Sequence, residues 1–418
     1  MARDTRTGGR EATTAVIPGS FGLSVGDPGT RAPAGFAWRA LSDLARLESG
    51  HTPSRNKPDY WDGDIPWIGI RDASGNHGKV LTDTEQHVTQ LGLDNSSARL
   101  LPSGTVCLSR TASVGYVVTM GRPMATSQDF VNWVCGPELD HRHLHYLLMA
   151  EQDTIRRIAY GSVHPTMYYP DAKALHVCIP SIHEQVAIAD VLGALDDKIA
   201  ANERAVDIAD NLVRVRYEAL SGDSVALGNI ATNVRDQVDP KAVEPETPYV
   251  GLEHVPRRSM WLSDFDTASK VTSAKAAFRA GDVLFGKLRP YFHKVVSAPF
   301  DGIASTDILV LRAKRLELAG LVLAAASSDG AIAATTASSE GTRMPRTKWA
   351  DLAAVEVPWP GDDRARRFSG EVSELADWSA TVAKESQGLA ATRDELLPLL
   401  MSGKLRVRDA EKSVEGVL

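Results

Sequence analysis

The side chains best placed to do chemistry fall into three groups. His141, His143 and His145 alternate as His-x-His-x-His. On a helix His141 and His145 share a face and could form half of a zinc site. No cysteine or carboxylate stands at a spacing that would complete the tetrahedron, and the run lies where a helix should begin. It reads as the start of a surface helix. The second group is basic. Arg110, followed by Thr111, stands just past a short apolar run, and Lys287 stands at the matching place later in the chain, with Arg289, Tyr291, His293 and Lys294 around it. Cations with an interleaved aromatic suit contacts to phosphates and base edges; the plain alternative is a solvated hairpin. The third group is a pair of loops, residues 163–169 and 343–349. They share a proline, Pro165 and Pro345, and otherwise diverge: Val-His-Pro-Thr-Met-Tyr-Tyr against Arg-Met-Pro-Arg-Thr-Lys-Trp.

Catalytic signatures are missing. There is no Gly-x-x-x-x-Gly-Lys-Ser/Thr phosphate loop and no nucleophile elbow. There is no Asn/Asp-Pro-Pro-aromatic motif of an amino-methyltransferase, and no acidic pair followed by Glu-x-Lys as in restriction-type nucleases. A chain of 418 residues without these is expected to bind rather than catalyse. Cys107, Cys135 and Cys178 are odd in number and far apart, match no metal spacing, and sit in apolar stretches as small hydrophobes would.

The elements that must position these groups come twice. Ile65-Pro66-Trp67-Ile68-Gly69-Ile70 returns as Thr247-Pro248-Tyr249-Val250-Gly251-Leu252. Ser103-Gly104-Thr105-Val106-Cys107-Leu108-Ser109-Arg110 returns as Ala280-Gly281-Asp282-Val283-Leu284-Phe285-Gly286-Lys287. Ala125-Thr126-Ser127-Gln128-Asp129-Phe130 returns as Ala304-Ser305-Thr306-Asp307-Ile308, Gly161-Ser162-Val163-His164-Pro165 as Gly341-Thr342-Arg343-Met344-Pro345, and Val177-Cys178-Ile179-Pro180 as Val355-Glu356-Val357-Pro358. The blocks keep their order at offsets near 180 residues, the signature of an internal duplication.

Within each copy, short apolar runs bounded by Gly and Pro predict strands at 106–108, 116–119 and 131–134, and at 283–285, 294–296 and 308–311. A helix follows at 143–158 and at 316–327, so each copy is a small mixed α/β (α+β) domain. Each then ends in a long helix. Leu192, Leu195, Ile199, Asn202, Val206, Ala209, Val213, Arg216 and Leu220 form a 3-4 seam. Val372, Leu375, Ser379, Val382, Ser386, Leu389, Arg393, Leu396 and Leu400 repeat it 180 residues on. A shared seam of this kind predicts helices that pair as an antiparallel coiled coil. The order is a disordered leader (1–34), a first head (35–180), a central helix (181–222), a second head (223–358), a C-terminal helix (359–407) and a tail (408–418). The central helix would span roughly 60 Å at about 1.5 Å per residue, a stiff spacer for touching two separated sites.

Charge neither supports nor excludes a nucleic-acid partner. The net charge is −7, yet residues 223–358 carry sixteen basic against sixteen acidic side chains, and the excess is heaviest in 181–222, with four against eight. Any phosphate-binding surface must therefore be local. No apolar run approaches the ~18 residues of a bilayer span, and no basic-then-apolar signal opens the chain, which predicts a cytoplasmic protein.

Three blocks resemble the specificity (S) subunits of Type I restriction-modification systems. Glu48-Ser49-Gly50-His51-Thr52-Pro53-Ser54 with Tyr60-Trp61-Asp62-Gly63-Asp64-Ile65-Pro66-Trp67-Ile68 looks like the opening of that family's target-recognition domain. Ser109-Arg110-Thr111-Ala112-Ser113-Val114-Gly115 is similar to its Ser-Arg-Thr-Gly-x-x-Gly turn, with Ala112 in place of Gly. The stretch from Val177 to Ile199, with Pro180, Glu184-Gln185 and Leu195-Asp196-Asp197-Lys198-Ile199, resembles the start of its central helix. The second copy departs here: Val357-Pro358-Trp359-Pro360-Gly361-Asp362-Asp363 lacks the Glu-Gln pair. The resemblance covers roughly residues 36–407.

The resemblance implies a non-catalytic DNA-binding chain. Each head would read one half of a split, asymmetric site. The helices would set the gap and carry two methyltransferase subunits, with restriction-translocase subunits completing the assembly. S-adenosylmethionine would belong to the methyltransferase, and ATP and magnesium to the restriction partner. The setting would be the cytoplasm of a bacterium or archaeon, at the nucleoid. Candidate DNA contacts are Arg71, Arg110, Thr111, Ser127, Gln128, His164 and Tyr168 in the first head. In the second they are Lys287, Arg289, Tyr291, His293, Arg343, Arg346 and Lys348. Glu184, Gln185, Leu192, Leu195 and Ile199 are the candidate partner contacts. Two other functions fit the residues less fully: a DNA-modifying enzyme with an unrecognised active site, and a coiled-coil scaffold whose heads bind protein.

Overall fold

The structure is a computed structural model that describes residues 16–111, 113–159, 165–338 and 344–417. The chain divides into two compact units, residues 1–197 with 390–418, and residues 198–389. Both boundaries fall inside the long helices, Ile182–Glu218 and Asp362–Met401. Each unit therefore contains one head and a stretch of both helices.

The first unit is built on a five-stranded sheet. Its order is Ala45–Ser49, Phe130–Cys135, Val106–Ser109, Val117–Met120 and Val80–Leu81, antiparallel except for the last pair. Val106–Ser109 and Val117–Met120 are buried along their whole length, so they read as continuous apolar runs rather than as alternation. A second small sheet pairs Ala125–Thr126 in parallel with Trp61–Ile68. The second unit repeats the plan. Ala231–Val234, Ile308–Ala313, Val283–Gly286 and Val295–Ser297 form its sheet in the corresponding order, and Gly302–Ala304 pairs in parallel with Pro248–Val250.

The helix expected over 143–158 is two helices, His141–Ala150 and Gln152–Ile158, broken at Glu151. Glu151 also bears on the expected disordered leader. Residues 16–25 are not disordered. Ile17–Pro18 pairs with Leu23–Val25, which adds to the edge of Leu175–Ile179, and Leu23 and Val25 are fully buried. The intervening loop wraps the Glu151 carboxylate, which is 1 % exposed. It accepts backbone N–H groups from Ser20, Phe21, Gly22 and Leu23 at 2.9, 2.6, 2.8 and 3.1 Å. Gly19 must be glycine here, because a Cβ would lie 2.4 Å from the Leu23 carbonyl. The first fifteen residues of the leader lie outside the described residues.

The helices pack as the shared seam requires. In the second unit Asn202 donates to Glu385 and Ser386 at 2.7 and 3.1 Å, and Arg216 pairs with Glu371, so residue numbers rise on one helix as they fall on the other. In the first unit Asp196 pairs with Arg393 at 2.6 Å and accepts the Tyr146 hydroxyl at 2.6 Å. Asn202, Ser386, Arg216 and Arg393 are thus partnered at the seam, whereas the buried Ser379 hydroxyl has no hydrogen-bond partner among the described residues. The expected seam holds through Val213 and then goes off register: Tyr217 is buried, whereas Arg216 faces out. The expected tail forms a short helix, Val407–Glu415. No single helix among the described residues is long and apolar enough to cross a membrane.

Candidate DNA interface

In the first head, strand Val106–Ser109 runs into the 110–116 turn. Ser109 staples that turn: its hydroxyl donates to the Ser113 carbonyl at 2.6 Å and accepts the Tyr116 N–H at 2.8 Å. The Gly115 N–H donates back to the Ser109 carbonyl at 3.0 Å, with φ at +105°, a conformation that favours glycine. The motif Ser-Arg-Thr-x-x-x-Gly therefore describes a closed turn.

Backbone bonds then gather the candidate loops. The Arg110 N–H donates to the Asp129 carbonyl at 2.7 Å, Met167 N–H to the Arg110 carbonyl at 2.8 Å, and Ser127 N–H to the Ile68 carbonyl at 3.0 Å. The second head makes the same three links: Lys287 to Asp307 at 3.0 Å, Thr347 to Lys287 at 2.8 Å, and Ser305 to Val250 at 2.9 Å. Loops far apart in sequence are thus joined in one place in each head, by backbone groups that do not depend on side-chain identity. Gly50 adds a further loop to the first cluster, approaching so closely that a Cβ would lie 2.0 Å from the Ser127 carbonyl.

Side chains on this scaffold divide into surface and support. Arg71, Gln128, Arg289, Arg346 and Lys348 are exposed, and Tyr291 is 51 % exposed. Tyr168, Thr111 and Lys287 are half-buried at the same loops. Arg346 leans toward Asp307 at 3.4 Å.

Three expected contacts serve the scaffold instead. Ser127 is 2 % exposed; its hydroxyl donates to the Asp129 carboxylate at 3.1 Å and accepts the Asp129 N–H at 3.2 Å, closing a local turn. Arg110 is turned inward, donating from Nε to the Gln128 carbonyl at 3.1 Å and from Nη1 to the Met167 carbonyl at 3.4 Å. Burial lowers its pKa, with Asp129 and Tyr169 acting against the shift. His293 is 3 % exposed and directs Nε2 at the Ser327 carbonyl at 2.9 Å. Burial lowers its pKa too, partly offset by that bond, with Arg214 and Arg258 lowering it further. His164 and Arg343 lie outside the described residues.

Sequence reasoning passed over two cations. The Arg55 guanidinium lies 3.7 Å over the Trp61 ring and 5.1 Å from that of Trp67. Arg257 lies 4.1 Å over Phe292, whose other neighbours are Arg289 and Tyr291. Such pairs attract the cation to the ring face. The only sequence signal was a basic residue near a Trp- or Phe-bearing loop.

The partner-contact set also changes. Gln185 is 1 % exposed and spends its amide within its own unit: it accepts the Asp140 N–H at 3.0 Å and donates to the Glu138 and Pro180 carbonyls at 3.2 and 3.0 Å. It ties the helix start to the head. Leu192 and Leu195 are fully buried, and Ile199 half-buried. The two leucines pack inside this chain, so neither is open to a partner. Glu184 is half-buried in the first helical turn, where a carboxylate faces the positive end of the helix dipole. Of the histidine run, His143 and His145 are buried rather than on the surface. His145 bonds Thr119 at 2.9 Å and the Gly78 carbonyl at 3.2 Å, and no metal-binding cluster occurs among the described residues. Cys107 and Cys178 are buried and Cys135 half-buried, all as free thiols.

Two repeated heads, each presenting a loop-built polar surface beside a long helix, define a two-headed recognition chain. Residues 33–207 match the Type I restriction modification DNA specificity domain. Over 411 residues the chain is 23% identical to the Type I restriction enzyme MjaIX specificity subunit of Methanocaldococcus jannaschii, covering 90% of this chain and 95% of that one. It is 26% identical over 171 residues to the EcoR124I/EcoR124II specificity subunit of Escherichia coli, covering 38% and 40% of the two chains. The fold is shared with the crystal structure of a Type I restriction-modification S subunit from M. genitalium, with a TM-score of 0.54 at 17% identity, over 90% of this chain and 97% of that one. Along most of its length the chain is thus similar to Type I restriction-modification DNA specificity subunits.

Proposed function

We propose that each head reads one half of a split, asymmetric DNA site through its gathered loops. The observation that carries this is the pair of equivalent backbone links, Met167 to Arg110 and Thr347 to Lys287, each 2.8 Å. They hold matching loops in one scaffold while the exposed side chains differ between heads. Arg55, Arg71, Gln128 and Tyr168 form the first reading set, with Thr111 beside them. Arg257, Lys287, Arg289, Tyr291, Arg346 and Lys348 form the second. His164 and Arg343 belong to the same loops by sequence. Arg110, Ser127 and His293 support these sets from beneath.

The recognition domains are residues 35–180 and 223–358. The paired helices set the gap between half-sites and carry two methyltransferase subunits, with restriction-translocase subunits joining them. S-adenosylmethionine, ATP and magnesium belong to those partners, and the assembly works in the cytoplasm. The test is long-read sequencing of methylated adenines in cells making this chain and its methyltransferase. A bipartite motif with an unspecified centre is expected, and Arg346→Ala with Lys348→Ala should degrade only one of its halves. A continuous palindrome, or loss spread over both halves, would refute the reading.

A further inference from the structure

Residues 289–293 of the second head form a turn that the backbone resists. Arg289 and His293 bracket the 3-10 segment Pro290–Phe292 at φ +52° each, and neighbouring Arg258 has φ +55°. Three non-glycine residues in the left-handed region within one cluster persist only where the surroundings over-determine them. The Arg258 N–H donates to the His293 carbonyl at 2.8 Å, and the Arg289 N–H to the Pro345 carbonyl at 2.8 Å.

The central helix supplies the rest of the constraint. Arg214 is largely buried. It donates from Nε to Asp210 at 2.7 Å, from Nη1 to the Ser327 carbonyl at 2.9 Å, and from Nη2 to the Arg258 carbonyl and the Ser327 hydroxyl at 3.3 Å each. The other Asp210 oxygen accepts the Met260 N–H at 2.7 Å. His293 meets the same Ser327 carbonyl from the other side. One guanidinium fork therefore joins the helix to both loops that flank the strained turn. Its donors go to oxygens of this chain and, at 3.5 Å, to Nε2 of His293, so it is not built to touch a ligand. Outward, the turn presents exposed Arg289 and Tyr291, with Arg257 stacked on Phe292.

We propose that Arg214 is a positioning residue that holds the 289–293 turn in its strained, DNA-reading conformation. This rests on the reading that the second head binds one half-site. Only a planar fork meets the carboxylate and both loops at once, so lysine should not substitute for it.

The test uses the full-length chain with its methyltransferase, and a duplex carrying the motif defined by methylation sequencing. Arg214→Ala should weaken binding to the intact site by about 5- to 100-fold, of the order of a lost base contact. It should also flatten discrimination at second-head positions while leaving discrimination at first-head positions, and the slope of affinity against salt, unchanged. A lost phosphate contact would shift that slope. Arg214→Lys should behave like Arg214→Ala. Should Arg214→Ala fail to fold, His293→Gln reads the same link from the turn side. Unaltered second-half discrimination in Arg214→Ala, with clear loss in Arg289→Ala or Tyr291→Ala, overturns the positioning role alone. Unaltered discrimination in all of these variants overturns the DNA-reading assignment of the turn, and the positioning role with it.

Discussion

Replacing Glu151 by glutamine should loosen residues 16–25 from the first unit without unfolding the head. The carboxylate accepts four consecutive backbone N–H groups, three of them on one oxygen, and is 1 % exposed. A bond to a charged acceptor contributes about 1.5–3 kcal/mol, against about 1 for a neutral one. Glutamine keeps a carbonyl oxygen for Phe21, Gly22 and Leu23, and sets its amide N–H against the Ser20 N–H. Weakening three bonds by roughly 0.5 kcal/mol each and leaving one donor buried gives a cost of about 3 kcal/mol. Leu23 and Val25 remain buried, each worth ~2 kcal/mol, so the segment opens locally more often and does not dissociate. Amide hydrogen exchange reads this directly. Protection of residues 20–23 should fall by about 100-fold, the equivalent of 3 kcal/mol, while sheet amides in Val106–Ser109 hold theirs. Unchanged protection at residues 20–23, or an equal fall throughout the unit, would refute the argument that Glu151 is what orders this segment.

Acid should destabilise the first unit through His143 and His145, whose pKa values burial pushes down to about 4 from 6.5. The unfolded chain binds these protons first, so the stabilisation is complete above pH 6.5 and is lost as pH falls toward 4. At pH 5 the loss is about 2 kcal/mol per histidine, visible as a lower urea midpoint, and a His143→Asn/His145→Asn variant should show a flatter pH profile. Leu192→Ala should cost about 2–5 kcal/mol of stability by leaving a cavity; methyltransferase binding should survive in the folded fraction, and a selective loss of binding at unchanged stability would contradict burial within this chain. Arg346→Ala with Lys348→Ala should reduce the slope of log affinity against log salt by about 1 per phosphate contact removed, and an unchanged slope at unchanged affinity would remove both residues from the interface.

The duplication, the mixed strand-and-helix heads and the paired helices were all readable from local pattern. Apolar runs, turn residues and a 3-4 seam are short-range consequences of strand and helix geometry, and repetition at an offset near 180 residues made each copy support the other. The seam shows where this stops. It ran true from Leu192 to Val213, but whether Arg216 or Tyr217 faces inward depends on what Phe368 and the 319–326 helix offer opposite, which no single helix encodes. The leader shows the same limit. Residues 16–25 have little periodicity of their own and are ordered by a carboxylate about 130 positions away.

The site divides along the same line. Its loops could be found from the sequence because both copies keep the turn residues that shape them. Which side chains face outward could not, because Ser127 and His293 are buried and Arg110 is half-buried, each held by hydrogen bonds to nearby carbonyl or carboxylate oxygens. Arg257 stacks on Phe292, a ring far along the sequence, and Arg55 on the nearby Trp61. The sequence by itself determined the two-headed plan, since backbone propensity and hydrophobic period are local properties. Only the tertiary structure decided which polar groups face outward, because a polar side chain turns inward wherever the fold offers it a buried partner.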